Sequence, residues 1–196
     1  MTASTLDRRT LIVESAIDLI AAQGLRALTH RALDTALGLP AGSTSYYFRT
    51  KRALVEAIVD RIATRSRADF EAGNLEAPAT VDPDALAQGI AVWLDRLLAQ
   101  RRNHLIVRHA LIVDLLGDAE LHAKLIGCLF SLERATGLFR LLDAREPGRA
   151  AADFIAVLEG VVFDRFAGIR SGLTPGTPAS VAQLTGVVAI QLNAAG

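Results

Sequence analysis

The sequence predicts an all-α protein. Apolar residues recur at the 3.6-residue helical period, as in Ile12, Ala16, Leu19 and Ile20, or Leu54, Ile58 and Ile62. No stretch alternates apolar and polar residues with the period of two that marks a half-buried strand. Only 6 of the 196 residues are Pro, and 51% are hydrophobic, a composition that folds instead of staying disordered. The length allows one large domain or two small ones, with an ample core.

Residues 1–7 read as a disordered arm, and a first helix follows at about 10–23, ended by Gly24. Thr29 is a good N-cap for a second helix, because its hydroxyl can accept from an orphan backbone N–H. Leu28 and Leu33 hold the two positions of a hydrophobic staple around that cap. Leu33 and Leu37 stack one turn apart. Gly38 ends the helix and Pro40 stops it from continuing. A short helix at 41–48 then carries small and hydroxylated side chains: Gly42, Ser43, Thr44, Ser45, Tyr46 and Tyr47. After a tight turn, such a helix fits the recognition helix of a helix-turn-helix.

Thr50 caps a long helix, about 51–70, whose first residues are Lys51 and Arg52. Cations at a helix N-terminus oppose its dipole. Beside Arg49, they are easier to explain by an external polyanion, although a solvated basic surface gives the same pattern. Residues 72–83 form the clearest loop. Helices are expected at about 83–100, 103–116 and 118–142, the last opened by Asp118. The segment 108–116 is apolar on most sides and should be buried. Glu146, Pro147 and Gly148 break the chain. Two final helices, about 149–171 and 179–193, are unusually apolar, and outward faces of that kind would leave a large patch in water. A two-fold interface of two helices per subunit would cover it, with Phe154, Leu158, Val162, Leu184 and Val188 as interface residues. Burial within one chain is the alternative.

At residues 8–56 the chain resembles the TetR family of transcriptional regulators. The resemblance rests on Ile12, Ala16, Gly24, Thr29, Arg31, Leu33, Gly38, Leu39, Gly42, Tyr47, Phe48, Lys51, Ala53 and Leu54. The chain departs from the family pattern where Asp34 replaces a usual Ala and Pro40 a usual Ser cap. Ala41 replaces a frequent Lys, and Thr44 with Ser45 a common Leu-Tyr pair. The resemblance implies a helix-turn-helix DNA-binding domain at residues 1–50 and a helical effector-binding and dimerisation domain at 51–196. It also implies a homodimer with double-stranded DNA as partner, and a repressor released from its operator by a small-molecule effector. A constitutive DNA-binding regulator and a plain all-α dimerisation module are the competing readings. Thr29, Tyr47 and Lys51 are expected on phosphates, Ser43, Thr44 and Tyr46 on base edges, with Arg31 and Ser45 also facing DNA.

Charge distribution agrees. The chain is neutral overall, but residues 1–67 hold 10 Lys and Arg against 6 Asp and Glu, a balance of +4 that the remainder offsets. A basic end on a mildly acidic body suits phosphate binding. An enzyme would need convergent catalytic or metal groups. The four histidines have no metal-ligand spacing, and there is no phosphate loop and no nucleophile elbow. No catalytic residue, metal or cofactor is therefore expected. Trp93, Phe130 and Phe139, with Arg108 and Asp114, are the expected lining of a mostly apolar effector pocket, pairing of Arg108 with a carboxylate from a neighbouring helix being the alternative. A single cysteine, Cys128, excludes an internal disulfide. The absence of an 18-residue apolar run or a signal peptide points to a cytoplasmic protein without a membrane span.

Overall fold

Residues 3–73 and 82–194 are described by a computed structural model, and ten α-helices run through them. These are α1 (Ala3–Gln23), α2 (His30–Ala36), α3 (Ser43–Tyr47), α4 (Lys51–Ala72), α5 (Pro83–Gln100), α6 (Arg102–Asp114), α7 (Ala119–Ile126), α8 (Leu132–Leu141), α9 (Pro147–Ala167) and α10 (Pro178–Asn193). The chain divides into two compact units. One is Met1–Ser66 with Asn103–Cys128; the other is Arg67–Arg102 with Leu129–Gly196.

In the first unit, Ile12, Ala16, Ile17 and Ile20 of α1 pack with Leu28, Leu33, Phe48, Leu54, Ile58 and Ile62. Three short helices bury little surface on their own. Val107 and Leu111 of α6 and Leu121 and Leu125 of α7 complete the same core. Polar bonds tie α6 to α1: Asn103 donates to Asp18 Oδ1 at 2.8 Å, and His104 Nε2 lies 3.2 Å from Glu14 Oε2. Lys124 of α7 reaches Asp60 of α4 at 3.1 Å. Cys128 is half-buried, with its thiol on Leu125 O.

In the second unit, α5 packs along α10, and α8 along α9. Trp93 of α5 stands edge-on to both Phe70 and Phe130, and Phe139 of α8 to Phe154 of α9. A buried polar network crosses this core. Asp95 accepts from the Ser180 hydroxyl and from Gly176 N–H, while Arg165 donates to Ser180 Oγ at 2.6 Å and to Leu173 O at 2.8 Å. Bridged by Ser180, the two charged groups fix the connection between α9 and α10 onto α5.

Several expectations are corrected. Of the arm expected at residues 1–7, residues 1–2 lie outside the described residues and residues 3–7 are helical and belong to α1, since nothing from Ala3 to Asp7 breaks a helix. The helix expected at 118–142 is two, α7 and α8. The chain turns after Gly127, and Ser131 recaps it by accepting from Arg134 N. Asp118 caps α7 as expected, accepting from Leu121 N. The segment 108–116 is not buried all round, because Val113 and Leu116 are largely exposed. The loop expected at 72–83 falls mostly on residues 74–81, outside the described residues. Phe154, Leu158, Val162, Leu184 and Val188 are all buried inside the second unit, so they form its core and not an outer face. Both helices are apolar on more than one side, and sequence periodicity does not say which side meets a neighbour.

Candidate nucleic-acid interface

The interface is built from the turn outward. Thr29 caps α2, its hydroxyl accepting from Ala32 N at 3.1 Å. Gly38 takes φ 61° and Gly42 φ 90°, the left-handed region that favours glycine, and between them the chain reverses into α3. Neither Pro40 nor Gly42 gives α3 a side-chain cap. Asp34 supplies it from α2. Its Oδ2 accepts from Gly42 N at 2.7 Å, and its Oδ1 from Thr44 N at 2.8 Å and from the Thr44 hydroxyl at 2.6 Å. These bonds, the Thr44 hydroxyl foremost, hold the buried Asp34 carboxyl below the usual carboxylate range.

The other end of α3 is held as well. Arg9 of α1 donates to Tyr47 O at 2.8 Å and lies over the Phe48 ring at 4.4 Å. His30 Nε2–H donates to Phe48 O at 2.7 Å; a carbonyl only accepts, so the ring carries its proton on Nε2.

Between these anchors α3 offers Ser43, Ser45, Tyr46 and Tyr47. Tyr46 is 81% exposed and meets Tyr47 edge-to-face. Ser43 and Ser45 donate their hydroxyl protons to Pro40 O and Gly42 O, which leaves lone pairs facing outward as acceptors. Thr29, Arg31, Arg49 and Lys51 are exposed at the starts of α2 and α4. Thr44 corrects the sequence reading: it is wholly buried and its hydroxyl is spent on Asp34, so it cannot reach a base edge. Arg52 also departs from its neighbours. It pairs with Glu56 and Asp118, and holds Asp118 below the usual carboxylate range. Arg9, His30 and Asp34 were not expected at this site. The missing cap at Pro40 was the available signal for Asp34.

The expected effector residues are not one cluster. Trp93, Phe130 and Phe139 are buried in the second unit, the Trp93 N–H bonded to Asp69 O at 3.3 Å. Arg108 and Asp114 belong to the first unit. Arg108 is buried and donates to Leu125 O at 2.9 Å, whereas Asp114 is exposed and lines no core. His109 donates from Nδ1 to Leu105 O one turn back. Among the described residues, no group of His, Cys, Asp and Glu could hold a metal ion, and no helix is long and apolar enough to cross a membrane.

A short helix after a tight turn, held at its start by Asp34 and at its end by Arg9 and His30, with hydroxyls outward, defines a helix-turn-helix of the DNA-binding kind. Residues 12–58 match the family described as bacterial regulatory proteins, tetR family, and residues 81–189 match the tetracyclin repressor-like C-terminal domain. The chain belongs to the TetR family of transcriptional regulators and is a DNA-binding regulator, not an enzyme. Its fold is similar to that of a transcriptional regulator from Rhodococcus sp. Rha1, at 18% identity over 95% of each chain with a TM-score of 0.70. It is also similar to a TetR family member from Streptomyces coelicolor A3, at 24% identity over 92% of this chain and 97% of that one, TM-score 0.64. The multidrug binding protein EbrR, complexed with ethidium, is similar at 24% identity over 92% and 98%, TM-score 0.57. No curated protein matches the chain.

Proposed function

We propose that the protein is a homodimeric repressor that leaves its operator when a small molecule binds, with residues 1–50 as the DNA-binding domain and 51–196 as the effector-binding and dimerisation domain. The observation that carries the DNA contact is α3 itself: anchored at both ends by its own protein, with Ser43, Ser45 and Tyr46 left to face outward. Thr29, Arg31, Tyr47 and Lys51 position it on the backbone. The recognition helix has no Lys or Arg, so specificity leans on hydroxyl and apolar contacts and on DNA shape. Its partner being DNA, the protein works in the cytoplasm.

Dimerisation uses the outward sides of α9 and α10. Phe163 is 48% and Ile190 65% exposed there. Ala156 and Gly160 continue the α9 stripe and Ala182 and Gly186 the α10 stripe, small residues that let a second copy approach closely. Two recognition helices must then enter major grooves about 34–36 Å apart. An effector that binds a differently spaced state releases the DNA. The aromatic group around Trp93 and the binding of ethidium by EbrR support a ligand of mostly apolar character. One observation favours a constitutive regulator instead: Arg108 already has a protein acceptor.

Selection of bound DNA from a random pool tests the first part, with two half-sites about one helical turn apart as the expected result and no enriched sequence as the opposite one. A thermal-shift screen, followed by DNA release with any stabilising compound, separates the effector-controlled reading from the constitutive one.

A further inference from the structure

Asp34, Pro40 and Thr44 each depart from the family pattern, and in this chain the three departures are one exchange. Pro40 removes a hydroxyl that could cap α3. A five-residue helix starts with orphan N–H groups and has little length to offset them. Asp34 restores the cap from the neighbouring helix, and Thr44 turns a buried position into a third donor to the same carboxylate. The carboxylate thus holds two backbone N–H groups at the start of α3, those of Gly42 and Thr44, and one side chain. Three bonds from one rigid group fix the rotation of α3 about its own axis as well as its distance from α2. Successive side chains on a helix point about 100° apart, so that rotation decides which of Ser43, Ser45 and Tyr46 meets the bases.

We propose that Asp34 and Thr44 are specificity-positioning residues: they touch no DNA, and their clip sets the base preference of the recognition helix. The inference rests on the DNA-binding reading of α3. Arg9 and His30 hold only the carbonyl end, at Tyr47 and Phe48, and leave the start of the helix to this clip.

The test uses the full chain and the sequence it selects from a random pool. Thr44→Val keeps the buried shape and deletes the hydroxyl donor; Thr44→Ser keeps the donor. Bonds to a charged acceptor are strong enough for roughly a tenfold effect. Thr44→Val is expected to bind the selected site about tenfold more weakly, with unchanged affinity for random duplex and an unchanged salt slope. Thr44→Ser is expected to stay within about twofold of the wild type. A purely structural role would lower both specific and random binding through the folded fraction, which circular dichroism at the assay temperature monitors. If Thr44→Val does not fold, the triple variant Asp34→Ala/Pro40→Ser/Thr44→Leu replaces the whole clip with the family pattern. It is expected to fold, keep random-duplex affinity and select a different sequence. Wild-type affinity in Thr44→Val, equal losses in Ser and Val variants, or an unchanged selected sequence in the triple variant would each overturn the inference. A wild type that selects no sequence would defeat the DNA reading itself, and the inference with it.

Discussion

Arg61 of α4 gives Nε–H and an Nη2 group to the same carboxylate oxygen of Glu14 on α1, at 2.6 Å each. The second carboxylate oxygen faces His104 of α6 at 3.2 Å. One acidic side chain therefore joins three helices of the first unit, and α6 and α7 supply part of the core beneath the helix-turn-helix. Both side chains are about one-third exposed, which limits the value of the pair. Arg61→Ala should destabilise the protein by about 1 kcal/mol, read as a lower urea midpoint with unchanged slope. An unshifted midpoint would mean that α1 and α4 are joined by their apolar contacts alone.

Much of this fold was legible in the sequence because the signals were local. The Thr29 cap, the buried Leu28 and Leu33 around it, the left-handed Gly38, and α5 from Pro83 to Gln100 all follow from residues a turn or two apart. What was not legible depends on partners distant in the chain. Thr44 looked like a base reader on α3 until Asp34, ten positions earlier, took its hydroxyl. Val162 and Val188 looked like an outer face because α9 and α10 are apolar on more than one side, and only the packing of α5 and α8 decides which side is inside. In the sequence Arg52 is one of a basic cluster with Arg49 and Lys51, and its pairing with Asp118, 66 positions on, is visible only in the fold.

Gly73 is required by a close approach. A β-carbon there would lie 2.7 Å from Trp93 Cδ1 and 2.8 Å from Nε1. The indole cannot easily yield, since it is buried, stands edge-on to Phe70 and Phe130, and donates to Asp69 O. Gly73→Ala should cost about 1–3 kcal/mol and shift the fluorescence of this single tryptophan. An unchanged emission spectrum together with an unchanged melting temperature would contradict the contact.

Asp34 gives a pH dependence with a definite sign. Its folded-state pKa is lowered, chiefly by the Thr44 hydroxyl and then by the two N–H groups. Its stabilisation is therefore complete above the unfolded carboxylate value of about 3.9, and is lost as pH falls through the lower folded value. In urea titrations, wild type should exceed Asp34→Asn in stability at pH 7 by a margin that is constant down to about pH 5 and shrinks below it. A margin that grows on acidification would reverse the assignment.

The two apolar sides of α9 and α10 should respond differently to charge. Val188 is buried in the second unit, so Val188→Glu places an unpaired carboxylate in the core and should destabilise the chain by about 3 kcal/mol or more. Phe163 is 48% exposed, and Phe163→Glu should leave each chain folded but shift it from dimer to monomer. Circular dichroism and sedimentation at micromolar concentration separate the two effects. A wild type that sediments as a monomer would remove the dimer from the proposed function.

Lys51 and Arg52 are adjacent cations at the start of α4, yet the structure gives them different surroundings. Arg52 is bonded to Asp118 and Glu56, whereas no carboxylate among the described residues pairs with Lys51. A phosphate contact releases condensed counterions, and each one adds about 0.9 to the slope of log affinity against log salt. Lys51→Ala should therefore reduce that slope by about one and weaken all sequences about equally. Arg52→Ala should leave the slope nearly unchanged, because its charge is already neutralised within the protein, and should show itself instead as a modest loss of stability where α4 meets α7. Tyr46→Ala should do neither: with its side chain 81% exposed on α3, it should change which sequence is selected at similar salt dependence. Three variants thus separate phosphate contact, internal pairing and base reading in one titration series. A slope unchanged in Lys51→Ala would remove its phosphate contact, and a slope reduced equally in Arg52→Ala would show that the ion pairs of Arg52 do not survive on DNA.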